Sequence, residues 1–299
     1  MRRPFATLDV FTDQRFAGNP LAVVLDAAGL DASAMQAIAR EFNHPETVFA
    51  FAPADAAHRA RVRIFTPAAE LPFAGHPTVG TAVLLALRDG GAGPRELVLE
   101  EGIGPVRCRA EPIVGARGRA RFDVAQAPQE IGPVDDVSAI AAALGLTLDD
   151  IGCAGLVPSR WSAGVPFTFV PVRGRDAVAR SRPQPAKWDQ AFGADWRSAA
   201  YVFCRETVTP GHAFHARMFA PKLGIQEDPA TGSAAAALAG IVARYGGLPD
   251  GVHDLPIEQG RDMGRPSLIR LSLTLAGGKY RGASIGGDAI VVSEGTIDA

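Results

Sequence analysis

The sequence predicts an α+β protein built from two similar halves in a pseudo-twofold relation. The first observation is a short pattern that occurs twice. It reads His76-Pro77-Thr78-Val79-Gly80-Thr81-Ala82 and Asp228-Pro229-Ala230-Thr231-Gly232-Ser233-Ala234, offset by 152 positions. The second is that further echoes keep the same order. Arg63-Ile64-Phe65-Thr66-Pro67 matches Arg217-Met218-Phe219-Ala220-Pro221 at an offset of 154. Leu99-Glu100-Glu101-Gly102 matches Ile257-Glu258-Gln259-Gly260 at 158, and Gly18-Asn19-Pro20 matches Gly164-Val165-Pro166, each followed by a strand-like run. One echo would carry little weight, because Gly and Pro recur in turns. Four in order argue for duplication of a unit of roughly 150 residues. The third observation is compositional: in each half several β-prone stretches surround one apolar helix, as in an α+β unit.

In chain order, residues 5–11 and 21–25 read as strands. Asp31 caps a helix with Met35, Ile38 and Phe42 on one face, ending near Asn43. Residues 47–51 and 61–65 are strands by β-branched and aromatic content. Pro77 and Pro229 mark the starts of two helices apolar on nearly every side, closed by Gly90-Gly91 and Gly246-Gly247. Residues 96–100 and 104–110 form a hairpin. The Gly/Arg-rich stretch 115–119 is the expected linker, which divides the chain into domains 1–117 and 118–299, the final strand being free to return to the first half. The second half then repeats the scheme: a strand at 120–124, a helix at 137–144 and strands at 167–172, 199–204 and 213–219. The second apolar helix and strands at 268–275 and 289–292 complete it. An insertion at 180–197 carries Trp188 and Trp196, expected as an exposed packing patch or oligomer contact.

At 299 residues, 47% hydrophobic and 21% charged, the chain suits two globular domains with their own cores. Its net charge of −2 comes without a basic block, so no nucleic-acid partner is indicated. Cys108, Cys153 and Cys204 are scattered, without a CxxC, which fits a reducing cytoplasm and no zinc site. The apolar run 233–243 is too short to span a bilayer, and no membrane role is expected.

Three protonatable residues stand out. Glu46 lies in Asn43-His44-Pro45-Glu46-Thr47-Val48-Phe49, where neighbouring apolar side chains can desolvate it and fit it for proton transfer near neutrality. The plain alternative is an exposed turn glutamate. His76 and Asp228 precede the prolines of the doubled pattern; singly, a core histidine and a helix cap account for them. As equivalents in two halves they suggest acid/base groups facing one cleft. Free amides at the helix starts, near Gly75 and at Thr231, Gly232 and Ser233, suit an anionic group such as a substrate carboxylate. Neither phosphate-loop nor dinucleotide fingerprint is present. His212 and His215 are three apart in an apparent strand and so point to opposite faces, which argues against a metal site.

These segments resemble a known family. Phe16-Ala17-Gly18-Asn19-Pro20, Asn43-His44-Pro45-Glu46-Thr47, Glu70-Leu71-Pro72-Phe73-Ala74-Gly75-His76-Pro77, Glu227-Asp228-Pro229-Ala230-Thr231-Gly232-Ser233, and Gln259-Gly260 with Met263-Gly264-Arg265-Pro266-Ser267 are similar to the PhzF family, the phenazine-biosynthesis isomerase-like group of the diaminopimelate-epimerase-like fold. The resemblance implies two pseudo-symmetric domains, each a barrel-like β-sheet around a central buried helix, with the site in the cleft between them. It also implies a proton shift without a cofactor or metal, on a small carboxylate-bearing substrate, and a homodimer. Carried over, Glu46 moves the proton, Asp228 and His76 support it, and Thr231, Gly232 and Ser233 hold the substrate carboxylate. Relatives in the wider fold that racemise amino acids use paired cysteines; here no cysteine lies at either helix start. Two alternatives remain at this level: a racemase or epimerase using Glu46 and Asp228 as non-thiol bases, and a binding protein on an inherited enzyme scaffold.

Overall fold

A computed structural model describes residues 1–195 and 198–299. It divides into two compact units, Met1–Asp123 with Gly286–Ala299, and Val124–Ile285. The first unit contains β1 (Arg2–Val10), β2 (Asn19–Val24), α1 (Ala32–Phe42), β3 (Glu46–Phe51), β4 (Ala60–Phe65), the short β5 (Glu70–Leu71), α2 (Gly75–Arg88), β6 (Arg95–Glu101), β7 (Gly104–Pro112) and β8 (Arg117–Asp123). The second contains β9 (Gln129–Pro133), α3 (Val137–Ala143), β10 (Ser159–Ser162), β11 (Pro166–Pro171), α4 (Arg175–Arg180), α5 (Pro185–Phe192) and β12 (Ala200–Cys204). It continues with β13 (Phe214–Ala220), β14 (Ile225–Asp228), α6 (Gly232–Tyr245), β15 (Gly251–Gln259) and β16 (Ser267–Ala276). The last strand, β17 (Lys279–Asp298), starts in the second unit and finishes in the first.

The duplication read from sequence is present as a repeated ladder. β1–β2 is antiparallel and β2–β3 parallel; so are β10–β11 and β11–β12 in turn. β3–β4 and β4–β5 are antiparallel and β4–β6 parallel, as are β12–β13, β13–β14 and β13–β15. β6–β7 and β15–β16 close the correspondence as antiparallel hairpins. In the first unit the ladder continues through β7–β8 and β8–β17 and returns by β17–β1, so the sheet closes on itself. α2 lies inside and packs on β1, β2, β3, β6, β7 and β8. Its residues from Gly75 to Ala86 are all buried, as expected of a helix apolar on every side. α6 has the same role in the second unit, packing on β9, β10, β11 and β16.

Two glycines let these helices sit close to their strands. A Cβ on Gly80 would lie 2.6 Å from Leu21 Cδ2 and 2.7 Å from Val10 Cγ2. A Cβ on Gly240 would lie 2.5 Å from the Trp161 ring and 2.6 Å from Pro128. Outside the first sheet, α1 is capped by Asp31, which accepts from the Ala34 amide at 2.8 Å, and stops at Asn43 in the left-handed region with φ of 51°. It buries Met35 and Ala39 against Val24, Phe49 and Phe65.

Three expectations require correction. Residues 115–119 are no linker: 115 and 116 lie in the turn of the β7–β8 hairpin and 117–119 begin β8, with Pro112 opposite Gly118, and residues 118–123 therefore belong to the first unit. Gly and Arg suit a twisted exposed hairpin as well as a tether, so composition could not separate the two. The insertion is no exposed patch: Trp188 on α5 is 1% exposed, stacks on Phe192 and donates from Nε1 to Ser198 Oγ at 3.0 Å. Trp196 lies outside the described residues. Finally, His212 precedes β13 instead of lying in it, so strand alternation does not separate it from His215. Both rings turn their Nδ1 to the Glu258 carboxylate, at 2.7 and 3.2 Å.

Glu258 also accepts the amides of Val208 and Thr209 at 2.8 and 2.7 Å. Burial opposes its charge, but the two amides and two imidazoles outweigh that and hold its pKa down at about 2. Its counterpart Glu100 likewise accepts the amides of Ala54 and Asp55 and the His58 ring, each at 2.9 Å. Each unit thus ties a loop to a strand end with one ionised glutamate. Among the described residues, no helix is long and apolar enough to cross a membrane.

Candidate active site

In the first unit, Glu46 opens β3, in parallel register with Leu21 of β2. Its side chain is 12% exposed, so it is no open turn glutamate. His76 lies in the first turn of α2, whose N-cap Ala74 offers no capping side chain. The amides around Gly75 therefore open the helix without a side-chain acceptor. His76 Nε2 stands 3.3 Å from Glu46 Oε2, outside hydrogen-bond alignment. Its other nitrogen, Nδ1, donates to the Pro20 carbonyl. Burial pushes His76 down to about 3, the Pro20 carbonyl opposes this, and His44 adds to the lowering. The imidazole is therefore neutral at ordinary pH, with its proton on Nδ1 and a lone pair on Nε2 facing Glu46. Pro20 entered the sequence argument only within an echo and a family-like segment, with no role of its own; its carbonyl sets the tautomer.

Below the same helix start, Glu101 is buried and lies 2.8 Å from Thr78 Oγ1, which also contacts the Ala74 carbonyl at 2.7 Å. A hydroxyl has one proton. The Ala74 carbonyl and Glu101 Oε1 therefore compete for it as acceptors. Burial raises the Glu101 pKa to about 8, and the bond donated by Thr78 opposes the rise. The folded state keeps a proton that the unfolded chain releases in the ordinary carboxylate range. The stability penalty is thus absent below that range, grows as pH rises, and is complete above about 8. Glu101→Gln removes it. The variant's melting temperature should exceed the native one by a margin that widens from about pH 5 to about pH 8; a margin independent of pH would contradict the assignment.

In the second unit, Asp228 ends β14, buried, and Thr231 is the N-cap of α6. The Thr231 hydroxyl donates to Asp228 Oδ2 at 2.6 Å, and its amide donates to Gln259 Oε1 at 3.2 Å. Both Thr231 donors are thus committed within the protein, and the expected free amide is not there. Gly232 and Ser233 form the first turn of α6 without a capping side chain.

The register of the repeat differs from the one the doubled pattern suggests. The first helical bonds run from Thr78 N to Ala74 O and from Ala235 N to Thr231 O. α2 begins at Gly75 and α6 at Gly232. His76 is therefore matched by Ser233, and Gly75 by Gly232, at an offset of 157. The same offset aligns Glu70 with Glu227, which make like two-pronged contacts to Arg63 and Arg217. Asp228 aligns with Leu71. His76 and Asp228 are not equivalents: one sits inside a helix, the other at a strand end.

The two α+β units with buried helix starts have the diaminopimelate-epimerase-like fold. A hydroxyproline epimerase from Agrobacterium vitis shares it with a TM-score of 0.64 at 12% identity, over 99% of this chain and 91% of that one. The sequence pattern of the family described as phenazine biosynthesis-like protein matches residues 8–295, and the chain belongs to this PhzF family. A PhzF-family protein of Bacillus anthracis has a TM-score of 0.89 at 26% identity, with 100% of each chain covered. An uncharacterized isomerase of Mesorhizobium japonicum is 50% identical, over 99% of this chain and 98% of that protein. The trans-2,3-dihydro-3-hydroxyanthranilate isomerase of Pseudomonas chlororaphis is 31% identical, over 98% of each. The chain is an isomerase acting on a small molecule.

Proposed function

We propose that this isomerase moves a proton within a small carboxylate-bearing metabolite by acid/base catalysis and needs no cofactor. The observation that carries the reading is the Glu46–His76 pair, with Oε2 and Nε2 3.3 Å apart and Nδ1 engaged by Pro20. The two atoms are close enough for a proton on Glu46 to pass to the Nε2 lone pair and back. Glu46 gives a proton to one substrate carbon and takes one from another; His76 Nε2 accepts it in the interval. Either order conserves protons and leaves the C–H count of the substrate unchanged. Asp228, held by Thr231, is a second acid/base group. The opening amides of α6 at Gly232 and Ser233 hold the substrate carboxylate through the positive end of the helix dipole. Thr231 contributes through Asp228.

The compound named for the Pseudomonas chlororaphis relative, trans-2,3-dihydro-3-hydroxyanthranilate, is the first substrate to try. At 31% identity the residues that choose among carboxylates have room to differ. With any substrate that turns over in deuterated water, hydrogen should pass between two carbons, with deuterium entering only at the receiving carbon. Deuterium entering with inversion at a single carbon would replace this reading with an epimerase that uses Glu46 and Asp228 as its two bases.

A further inference from the structure

Gln259 ends β15 with no exposed surface. Its amide spends its bonding capacity on the turn that carries Asp228. Nε2 donates to the Asp228 carbonyl at 2.8 Å and to Thr231 Oγ1 at 3.0 Å. Oε1 accepts from the Thr231 amide at 3.2 Å and from the Tyr201 hydroxyl at 3.3 Å. The opposite amide orientation would set Oε1 against the Asp228 carbonyl, acceptor against acceptor, so the network itself fixes the orientation. A threonine hydroxyl carries one proton. With Nε2 donating to its oxygen, that proton can only point away from Gln259. It points to Asp228 Oδ2, 2.6 Å away, a short contact of the charge-assisted kind.

The next residue shows how closely β15 is seated. Gly260 has φ of 74°, and a Cβ there would lie 2.6 Å from the Pro229 carbonyl and 2.4 Å from that of Arg265. The strand end therefore reaches the turn without a side chain between them. Tyr201 on β12 is a titratable group facing Asp228; burial pushes its hydroxyl up, so it stays a neutral donor to Gln259. At the corresponding place in the first unit stands Glu101, a carboxyl with no amide protons to give.

We propose that Gln259 is the positioning residue of Asp228: by donating to Thr231 Oγ1 it turns the threonine proton onto Oδ2 and holds Asp228 as a carboxylate ready to accept a proton. The inference rests on the reading of Asp228 as an acid/base group. Besides its bond to the Asp228 main-chain carbonyl, Gln259 acts on the Asp228 carboxylate through the Thr231 hydroxyl, so the two side chains act on it as a unit.

The test is a titration of the Asp228 carboxyl carbon by NMR in the full chain, its signal assigned by its loss in Asp228→Asn. Gln259→Met and Thr231→Val should each raise the Asp228 midpoint by about one pH unit, a tenfold gain in proton affinity. The double variant should shift no further than either single one, because both remove the same donor. A midpoint unchanged in Gln259→Met while Thr231→Val shifts, or shifts that add in the double variant, would overturn the inference. Should Gln259→Met fail to fold, Gln259→Glu serves. Its carboxylate would draw the Thr231 proton to itself and raise the midpoint further, and an unmoved midpoint there is equally adverse. The titration needs no substrate, so it is separate from the functional reading. Full turnover in Asp228→Asn would remove Asp228 from the chemistry while leaving the titration result intact.

Discussion

Glu46→Gln should lower turnover by about 10²–10⁴-fold, the usual worth of a positioned acid/base group, and leave ligand binding nearly unchanged. The substitution is informative because it keeps the resting contact. A glutamine amide has the size of a protonated carboxyl and can donate to the His76 Nε2 lone pair, which Pro20 and burial keep available. The proton it donates cannot be transferred. Loss of turnover therefore reports the chemistry of the group and not a collapsed site. The check is kcat beside a ligand dissociation constant from calorimetry. Turnover within a few-fold of the native enzyme would sink the assignment of Glu46.

Arg217→Leu should destabilise the second unit by about 3–5 kcal/mol, the range for removing one partner of a buried ion pair. The guanidinium is 4% exposed, contacts Glu227 at 2.8 and 2.6 Å and lies over Phe219 at 4.9 Å. It also donates to the carbonyls of Val178, Ala179 and Ser181 at 3.2, 3.1 and 2.9 Å. Removal strands a largely buried Glu227 and three carbonyls around the end of α4, each costly to leave unbonded. Arg63 makes the matching contacts, to Glu70 at 2.6 Å and over Phe65 at 5.2 Å, but its side chain is 34% exposed. Arg63→Leu should therefore cost no more than about 1 kcal/mol. Denaturant melts of both variants test the contrast; equal losses would show that burial does not set the difference. The two residues look alike in sequence, in adjoining motif and in partner type. Only their surroundings separate them.

The same distinction runs through the site. Local patterns were enough for the elements: Asp31 as a cap, Asn43 as a stop, and two helices without a polar face, which the fold places inside sheets. Glu46, His76 and Asp228 were legible as candidates for the proposed chemistry because protonatable residues beside turn and helix-start signals are uncommon. Gln259, Glu101 and the Pro20 carbonyl were not. Nothing adjacent in the chain marks a glutamine as the organiser of an aspartate 31 positions away. The convergence of His212 and His215 on Glu258 was missed for a related reason: strand alternation holds only within a strand, and His212 lies just outside one.

The sequence by itself determined that the protein is doubled, which residue types each half carries, and which helices must be buried. These follow from composition and periodicity, which act over a few residues at a time. Tertiary structure alone decided the register between the halves. The doubled pattern pairs His76 with Asp228 by spelling, whereas the backbone ladders and the first turns of α2 and α6 pair His76 with Ser233. Loops of unequal length shift the spelling freely, but the hydrogen bonds of a closed sheet and a helix start admit one alignment. That alignment leaves an imidazole in one unit, a hydroxyl at its counterpart in the other, and the aspartate on a strand end held by Thr231 and Gln259.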